Sequence, residues 1–239
     1  MDVTKPDEIR AAVKTVREAG RGLYGLINNA GVAVVGPLLE MRDEDLAYQF
    51  DVNVYGPFRV TKAFAPLLTE SKGRVTTTRS ISGVVSWGFG GAYCMSKHAI
   101  EAYTDALAGE LRQFGVEVSV IEPGNYRSEI GTGVRQRLVD GGYGGAGSHY
   151  QDEVKKFIEM PADRADEKEP GDEAQAFLHA LSDENPKRRY MVVPNQDEAE
   201  LTIKAAIRRV VQLNEGQPYS FNREGLIQLL DEALAPSAK

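Results

Sequence analysis

Apolar residues recur along this chain with two alternating periods. After the polar start "MDVTKPDE", Ile9, Val13 and Val16 fall on one helical face, with Thr4 placed to cap that helix, acidic residues in its first turn and Gly20 as its stop. The short apolar run "GLYGLI" then reads as a buried strand that ends at "NNAG". Leu46, Phe50, Val54 and Phe58 recur every fourth residue and predict one continuous helix, followed by the β-branched strand "RVTTT". Ile100, Tyr103, Leu107, Leu111 and Phe114 mark another helix that closes at Gly115 before the strand "VEVSVI", itself halted by Pro123 and Gly124. A last strand, "YMVV", precedes a helix from about Asp197 to Leu213 and one carrying Leu226, Leu230 and Leu234. Strands and helices that alternate in this way predict an α/β fold, a parallel sheet with helices on both faces. Ligands of such folds lie beyond the carboxyl ends of the strands.

Those carboxyl ends carry small or polar groups: Asn29, Ala30 and Gly31 after the first strand, Ser80 after the second, and Pro123 and Gly124 after the third. Asn53 lies in the helix after the first strand. Tyr93 and Lys97 open the helix after the second, four residues apart and so on one face, where the ammonium can act on the phenol. One crevice could collect all of these side chains, although a Tyr-x-x-x-Lys spacing alone is too common to decide anything.

Composition narrows the classes. The 239 residues, 42% of them hydrophobic, suffice for one domain with a substantial core. Cys94 is the single cysteine, and His98, His149 and His179 are scattered, so neither a disulfide nor a metal site is expected. A net charge of −7, with "PKRRY" as the densest basic cluster, gives no support for a nucleic-acid partner. No apolar run reaches the length of a membrane span and the start is unlike a signal peptide, so a cytoplasmic protein without a membrane partner is expected.

In order and spacing, "DVT" (2–4), "NNAG" (28–31), "DVNVYG" (51–56), "SISG" (80–83), "YCMSK" (93–97) and "EPGNYRS" (122–128) resemble the motifs of the short-chain dehydrogenase/reductase family. Ser80 precedes Tyr93 by 13 residues, the family's usual separation. The resemblance covers residues 2 to 194 and implies a Rossmann-like three-layer α/β/α domain over 1–194, with a substrate lid at 126–170 and a C-terminal helical extension at 195–239. It also implies an NAD- or NADP-dependent oxidoreductase that interconverts a secondary alcohol and a ketone. Tyr93 would be the general acid/base, Lys97 would favour its phenolate and bind the nicotinamide ribose, Ser80 would hydrogen-bond the carbonyl oxygen, and Asn53 would hold a water that continues the proton path. Cofactor contacts carried over in the same way are Asp2 and Val3 on the adenine side, Asn29, Ala30 and Gly31 along the ribose, Tyr93 and Lys97, and Pro123, Gly124, Tyr126 and Ser128 around the nicotinamide. Dimers or tetramers would form through the two helices that carry Asn53 and Tyr93.

Three positions depart from the family pattern. Ser128 stands where threonine is commoner, and Arg79 and Cys94 where serine is common; neither Arg79 nor Cys94 is expected to touch the proton relay. A larger departure lies at the beginning, where family members carry a first strand and a glycine-rich turn that receives the pyrophosphate on a helix N-terminus. Two Gly-x-Gly-x-x-Gly matches, at Gly20, Gly22 and Gly25 and at Gly142, Gly144 and Gly147, lack the strand-before, helix-after context and are expected to be loops. With the N-terminal strands missing, "GLYGLI" is expected at an apolar sheet edge. The chain then reads as a piece of a longer oxidoreductase; the alternative is a truncated homologue that works only through subunit association. The stretch "DGGYGGAGSHY" is flexible by composition, and Trp87, Phe89, Tyr126, Tyr143, Tyr150, Phe157 and Met160 predict a fairly apolar carbonyl or alcohol substrate.

Overall fold

The computed structural model describes residues 1–159 and 167–235. Four parallel strands lie side by side in chain order: β1 (Gly25–Asn28), β2 (Arg74–Thr78), β3 (Glu117–Pro123) and β4 (Arg189–Val192). Val75 stands opposite Leu26 and Val118, and Ile121 opposite Thr78 and Tyr190, which fixes the faces because strand side chains alternate. One face is covered by α1 (Pro6–Glu18), α3 (Gly56–Ser71) and α4 (Gly91–Leu111), the other by α7 (Gly171–Ser182). This is the three-layer parallel arrangement that the alternating periods predict.

The larger core lies under the first face. Ile9, Val60, Phe64, Leu67 and Leu68 from the helices meet Val75 and Val118 from the sheet, with Val13 and Val16 of α1 at its margin. Each large aliphatic or aromatic side chain buried here stabilises the domain by about 1.5–3 kcal/mol relative to exposure. On the other face, Ala176 and Ala180 of α7 pack on Ile121 and Tyr190. α4 ends in a 3-10 turn, and Gly115, at φ +70°, turns the chain into β3 as a glycine stop should.

Three local features differ from the sequence reading. Thr4 does not cap α1; Lys5 holds that place, and the Thr4 hydroxyl and amide both donate to Asp2. The helix predicted through Leu46 and Phe58 is broken into α2 (Asp43–Phe50), a π-helical turn (Asp51–Tyr55) and α3. Pro57 explains the break, since it has no N–H to give the Asn53 carbonyl four residues earlier. The glycine-rich stretch after α5 (Ile130–Asp140) is not loose either. The Tyr143 hydroxyl donates to Asp45 at 2.6 Å, the Ser148 hydroxyl to Glu40 at 2.6 Å, and the His149 amide to Glu40 at 2.8 Å, and α6 (Gln151–Glu159) follows. The glycines of both Gly-x-Gly-x-x-Gly matches fall outside any strand-to-helix turn, five of the six at positive φ in loops beyond helix ends.

After β4 come α8 (Gln196–Asn214) and α9 (Arg223–Leu234), each begun by an asparagine, Asn195 and Asn222, whose side-chain oxygen accepts an amide of the first turn. No helix among the described residues is long and apolar enough to cross a membrane.

Candidate active site

Beyond the carboxyl ends of β1, β2 and β3 lies a cavity of about 670 Å³. The loop after β1 brings Asn29 and Gly31, Arg79 and Ser80 follow directly on β2, the start of α4 contributes Tyr93 and Lys97, and β3 runs through Pro123 into Gly124, Tyr126 and Ser128. Asp2, Val3 and Ala30 do not line it. Asp2 is exposed at the start of α1, where the Thr4 hydroxyl and amide hold its carboxyl below the usual range. Val3 packs against Gly56, where an added Cβ would lie 2.7 Å from Val3 Cγ2. Ala30 is exposed beside Asn29.

Lys97 is a deeply placed charge. Its side chain is buried, Nζ donates to the Thr78 carbonyl at 3.2 Å, and it lies 5.6 Å from the centre of the Tyr93 ring. Burial pushes the ammonium down to about 8, with the Arg79 guanidinium pushing the same way and Glu173 opposing. Tyr93 is half-buried and packs on the cluster of Val35, Val134 and Leu138. Ser80 closes the other side: its hydroxyl donates to the Pro123 carbonyl at 3.4 Å and accepts the Ser82 amide at 3.2 Å.

Asn53 sits in the π-helical turn, buried, and binds the loop after β1 through both of its polar atoms. Its Oδ1 accepts the Val32 amide at 2.9 Å, while Nδ2 donates to the Val32 carbonyl at 2.9 Å and to Ser96 Oγ at 3.2 Å. A Cβ at Gly31 would come 3.7 Å from Asn53 Oδ1 and 3.9 Å from Lys97 Nζ, so the two side chains meet on either side of that glycine. Gln49 adds a second clasp, accepting the Val34 amide at 2.6 Å and donating to the Val32 carbonyl at 3.0 Å.

Glu173 and Leu201 at the cavity, and Glu198 and Asp172 beside it, escaped the sequence reading. Glu173, from the first turn of α7, faces Lys97; burial raises its carboxyl and the ammonium opposes that rise. Leu201 of α8 lines the wall, and Glu198 accepts the Asn125 amide at 2.9 Å, which ties α8 to the end of β3. The Tyr126 hydroxyl donates to Asp172 at 3.2 Å, and burial first, then that carboxylate, push it up to about 12. Arg79 is the main correction: far from standing apart from the relay, its Nε donates to the Lys97 carbonyl at 3.1 Å. Spacing could not show this, because a buried arginine declares itself only through its folded partners.

Among the aromatic residues expected at the crevice, Trp87, Tyr126 and Phe157 line the cavity, with Trp87 and Phe157 stacked at 6.5 Å. Phe89 and Tyr150 meet edge-to-face at 5.8 Å behind it, Tyr143 is in the adjoining core, and Met160 lies outside the described residues.

The chain is similar to several curated proteins over this region. Retinol dehydrogenase 16 of Mus musculus is 43% identical over 138 residues, a stretch covering 56% of this chain and 43% of that relative. The 17-beta-hydroxysteroid dehydrogenase type 6 of Homo sapiens is 41% identical over 141 residues, covering 58% of this chain and 44% of the relative. The matched stretches thus span less than half the length of these relatives. Among solved structures, a short-chain dehydrogenase from Streptomyces avermitilis superposes with a TM-score of 0.70 at 25% identity, covering 90% of this chain and 76% of that one. A short-chain dehydrogenase/reductase from Burkholderia phymatum, solved in complex with NAD, gives 0.70 at 24% identity, covers 92% and 78%, and so shares the fold. The profile of the short chain dehydrogenase family matches residues 1–138, more than half of the sequence, and the chain belongs to that family.

Proposed function

We propose that this cavity serves an NAD(P)-dependent oxidoreductase that interconverts a secondary alcohol and a ketone, with Tyr93 as general acid/base. The observation that carries the reading is the buried Lys97 ammonium beside the Tyr93 ring in a cavity that Ser80 closes from the other side. A free phenol near pKa 10 is poorly poised at neutral pH, and a neighbouring cation favours its phenolate.

The residues fit the nicotinamide half of a dinucleotide. Asn29 and Gly31 border the cavity next to Lys97, whose ammonium can reach a ribose hydroxyl, and Pro123, Gly124 and Ser128 form the opposite wall. When bound, the nicotinamide supplies the hydride acceptor or donor. In the oxidative direction the Tyr93 phenolate takes the hydroxyl proton as the carbinol carbon gives up its hydride; in reduction the phenol returns that proton to the carbonyl oxygen. Ser80 holds the same oxygen by a hydrogen bond, and Lys97 keeps the phenolate charge compensated.

The stacked Trp87 and Phe157, with Ile130, Val134 and Leu201, favour an apolar substrate. Within this reading, the lid lies in 126–170, of which 160–166 are outside the described residues, and α8 supports the cavity wall. The test is a fluorescence titration of the 239-residue chain with NADH and NADPH, followed by turnover assays with a 17-beta-hydroxysteroid, a secondary alcohol, and with retinol, a primary one, as the contrast; both are named by its relatives. Tyr93→Phe should lower turnover by about 10²- to 10⁴-fold while leaving cofactor binding in place. A folded chain that binds neither cofactor at millimolar concentration would overturn the reading in favour of a protein that works by association.

A further inference from the structure

Arg79 immediately precedes Ser80, and its side chain is only 2% exposed. It holds three parts of the site at once. Its amide donates to the Ile121 carbonyl of β3 at 2.8 Å, and its Nε donates to the Lys97 carbonyl of α4 at 3.1 Å. Nη1 binds Glu122 Oε1 at 2.5 Å, one residue before Pro123, and lies 2.9 Å from Glu101 Oε2, one helical turn beyond Lys97. The guanidinium packs on Gly83, where an added Cβ would collide with it.

A buried guanidinium is tolerated only where carboxylates compensate it. Glu101 and Glu122 do so, and Arg189 closes the cluster from β4 through Glu101 at 2.7 Å and Asp105 at 2.7 Å. A serine in this place could span none of these gaps.

We infer that Arg79 is a positioning residue of the Ser80–Tyr93–Lys97 site, locking the end of β2 to the first turns of α4 and to the end of β3 and presenting a fixed positive charge to Lys97. The inference rests on the dehydrogenase reading for its purpose, but its physical content concerns Lys97 alone. Three groups face that ammonium: Arg79 from the end of β2, Glu173 from α7, and Tyr93 on its own helix.

The test follows the side-chain NMR signal of Lys97, assigned by its loss in Lys97→Arg, through a pH titration of the full 239-residue chain. Arg79→Gln should raise the Lys97 midpoint by about one pH unit, because a like charge is removed. Arg79→Gln/Glu122→Gln spares the chain an unpaired buried carboxylate and should show a smaller rise, because a compensating negative charge is removed with the positive one. Arg79→Lys should restore the wild-type midpoint, and Gly83→Ala, which displaces the guanidinium without deleting it, should shift it upward in part. Leu68→Ala, which loosens the core far from the site, should leave it unchanged. An unaltered midpoint in folded Arg79→Gln and Gly83→Ala chains, or an equal shift in Leu68→Ala, would overturn the inference. Failure to bind NADH or NADPH would remove the dehydrogenase reading separately, and the Lys97 titration would still decide on Arg79.

Discussion

The Lys97 ammonium lies 5.6 Å from the centre of the Tyr93 ring, one helical turn along α4, and its hydrogen bond to the Thr78 carbonyl anchors it to the end of β2. The charge that would activate the phenol is therefore held by the sheet rather than left to swing on the helix. A cation kept in so dry a place burdens the fold, and the burden can be measured.

Burial lowers Lys97 from 10.5 to about 8 in the folded chain, so the folded state gives up this proton more readily than the unfolded one. At neutral pH both states carry the proton and the folded state bears the full cost; as the pH rises from 8 to 10.5 the cost disappears. Lys97→Met should therefore gain stability relative to the wild type at pH 7, and that advantage should shrink by roughly 3 kcal/mol by pH 10.5. Urea unfolding of both chains across this range checks it. Parallel pH profiles would mean that the ammonium is not buried.

Asn53 and Gln49 together bind the amide and carbonyl of Val32 and the amide of Val34. Asn53→Ala strips three hydrogen bonds from a buried location and should cost about 2–3 kcal/mol in chemical unfolding, with the loss centred on the loop after β1. If the chain unfolded at the wild-type midpoint, water would have to be replacing the amide, and the loop would not depend on Asn53 for its position.

The strands and the long helices were legible because their apolar residues repeat at the period of the element that buries them. The order of "NNAG", "SISG" and "YCMSK" likewise pointed to one crevice. What stayed hidden depends on partners distant in sequence. Arg79 looks like a misplaced surface residue until β3 and α4 bring Glu122 and Glu101 to it, and Glu173 acquires meaning only when α7 folds across the sheet. The π-helical turn was masked because Leu46, Phe50, Val54 and Phe58 keep the helical rhythm through it, while Pro57, the residue that breaks the hydrogen bonding, also suits a helix start. Composition alone misjudged "DGGYGGAGSHY": its glycines free the backbone, but two carboxylates from the loop after β1 and the start of α2 take up that freedom.

Those carboxylates make the glycine-rich segment a latched one. Glu40 receives both the Ser148 hydroxyl and the His149 amide, and these bonds hold its carboxyl below the usual range. Glu40→Ala should speed amide hydrogen exchange across residues 145–151, the His149 amide most of all, while β2 and β3 keep their protection. Glu40→Gln should give an intermediate effect, since its single carbonyl oxygen can serve one donor well but not both. Unchanged exchange in Glu40→Ala would show that Tyr143 and Asp45 hold the segment unaided.

Among the described residues β1 pairs with β2 on one side only, and Ile27 on it is 44% exposed, with Tyr24 just before the strand at 53%. Ile27 shares its sheet face with Gly25, where an added Cβ would lie 3.1 Å from Leu181 of α7, but α7 does not extend over Ile27. A bare strand edge beside an exposed β-branched side chain is a template for strand addition. The 239-residue chain should therefore self-associate as its concentration rises, and Ile27→Lys should shift it toward the monomer in sedimentation velocity, because a charge at an edge opposes strand pairing. Association that persisted unaltered in that variant would place the contact elsewhere, with the exposed Leu213 and Leu234 of the C-terminal helices and Tyr219 between them the next surface to test.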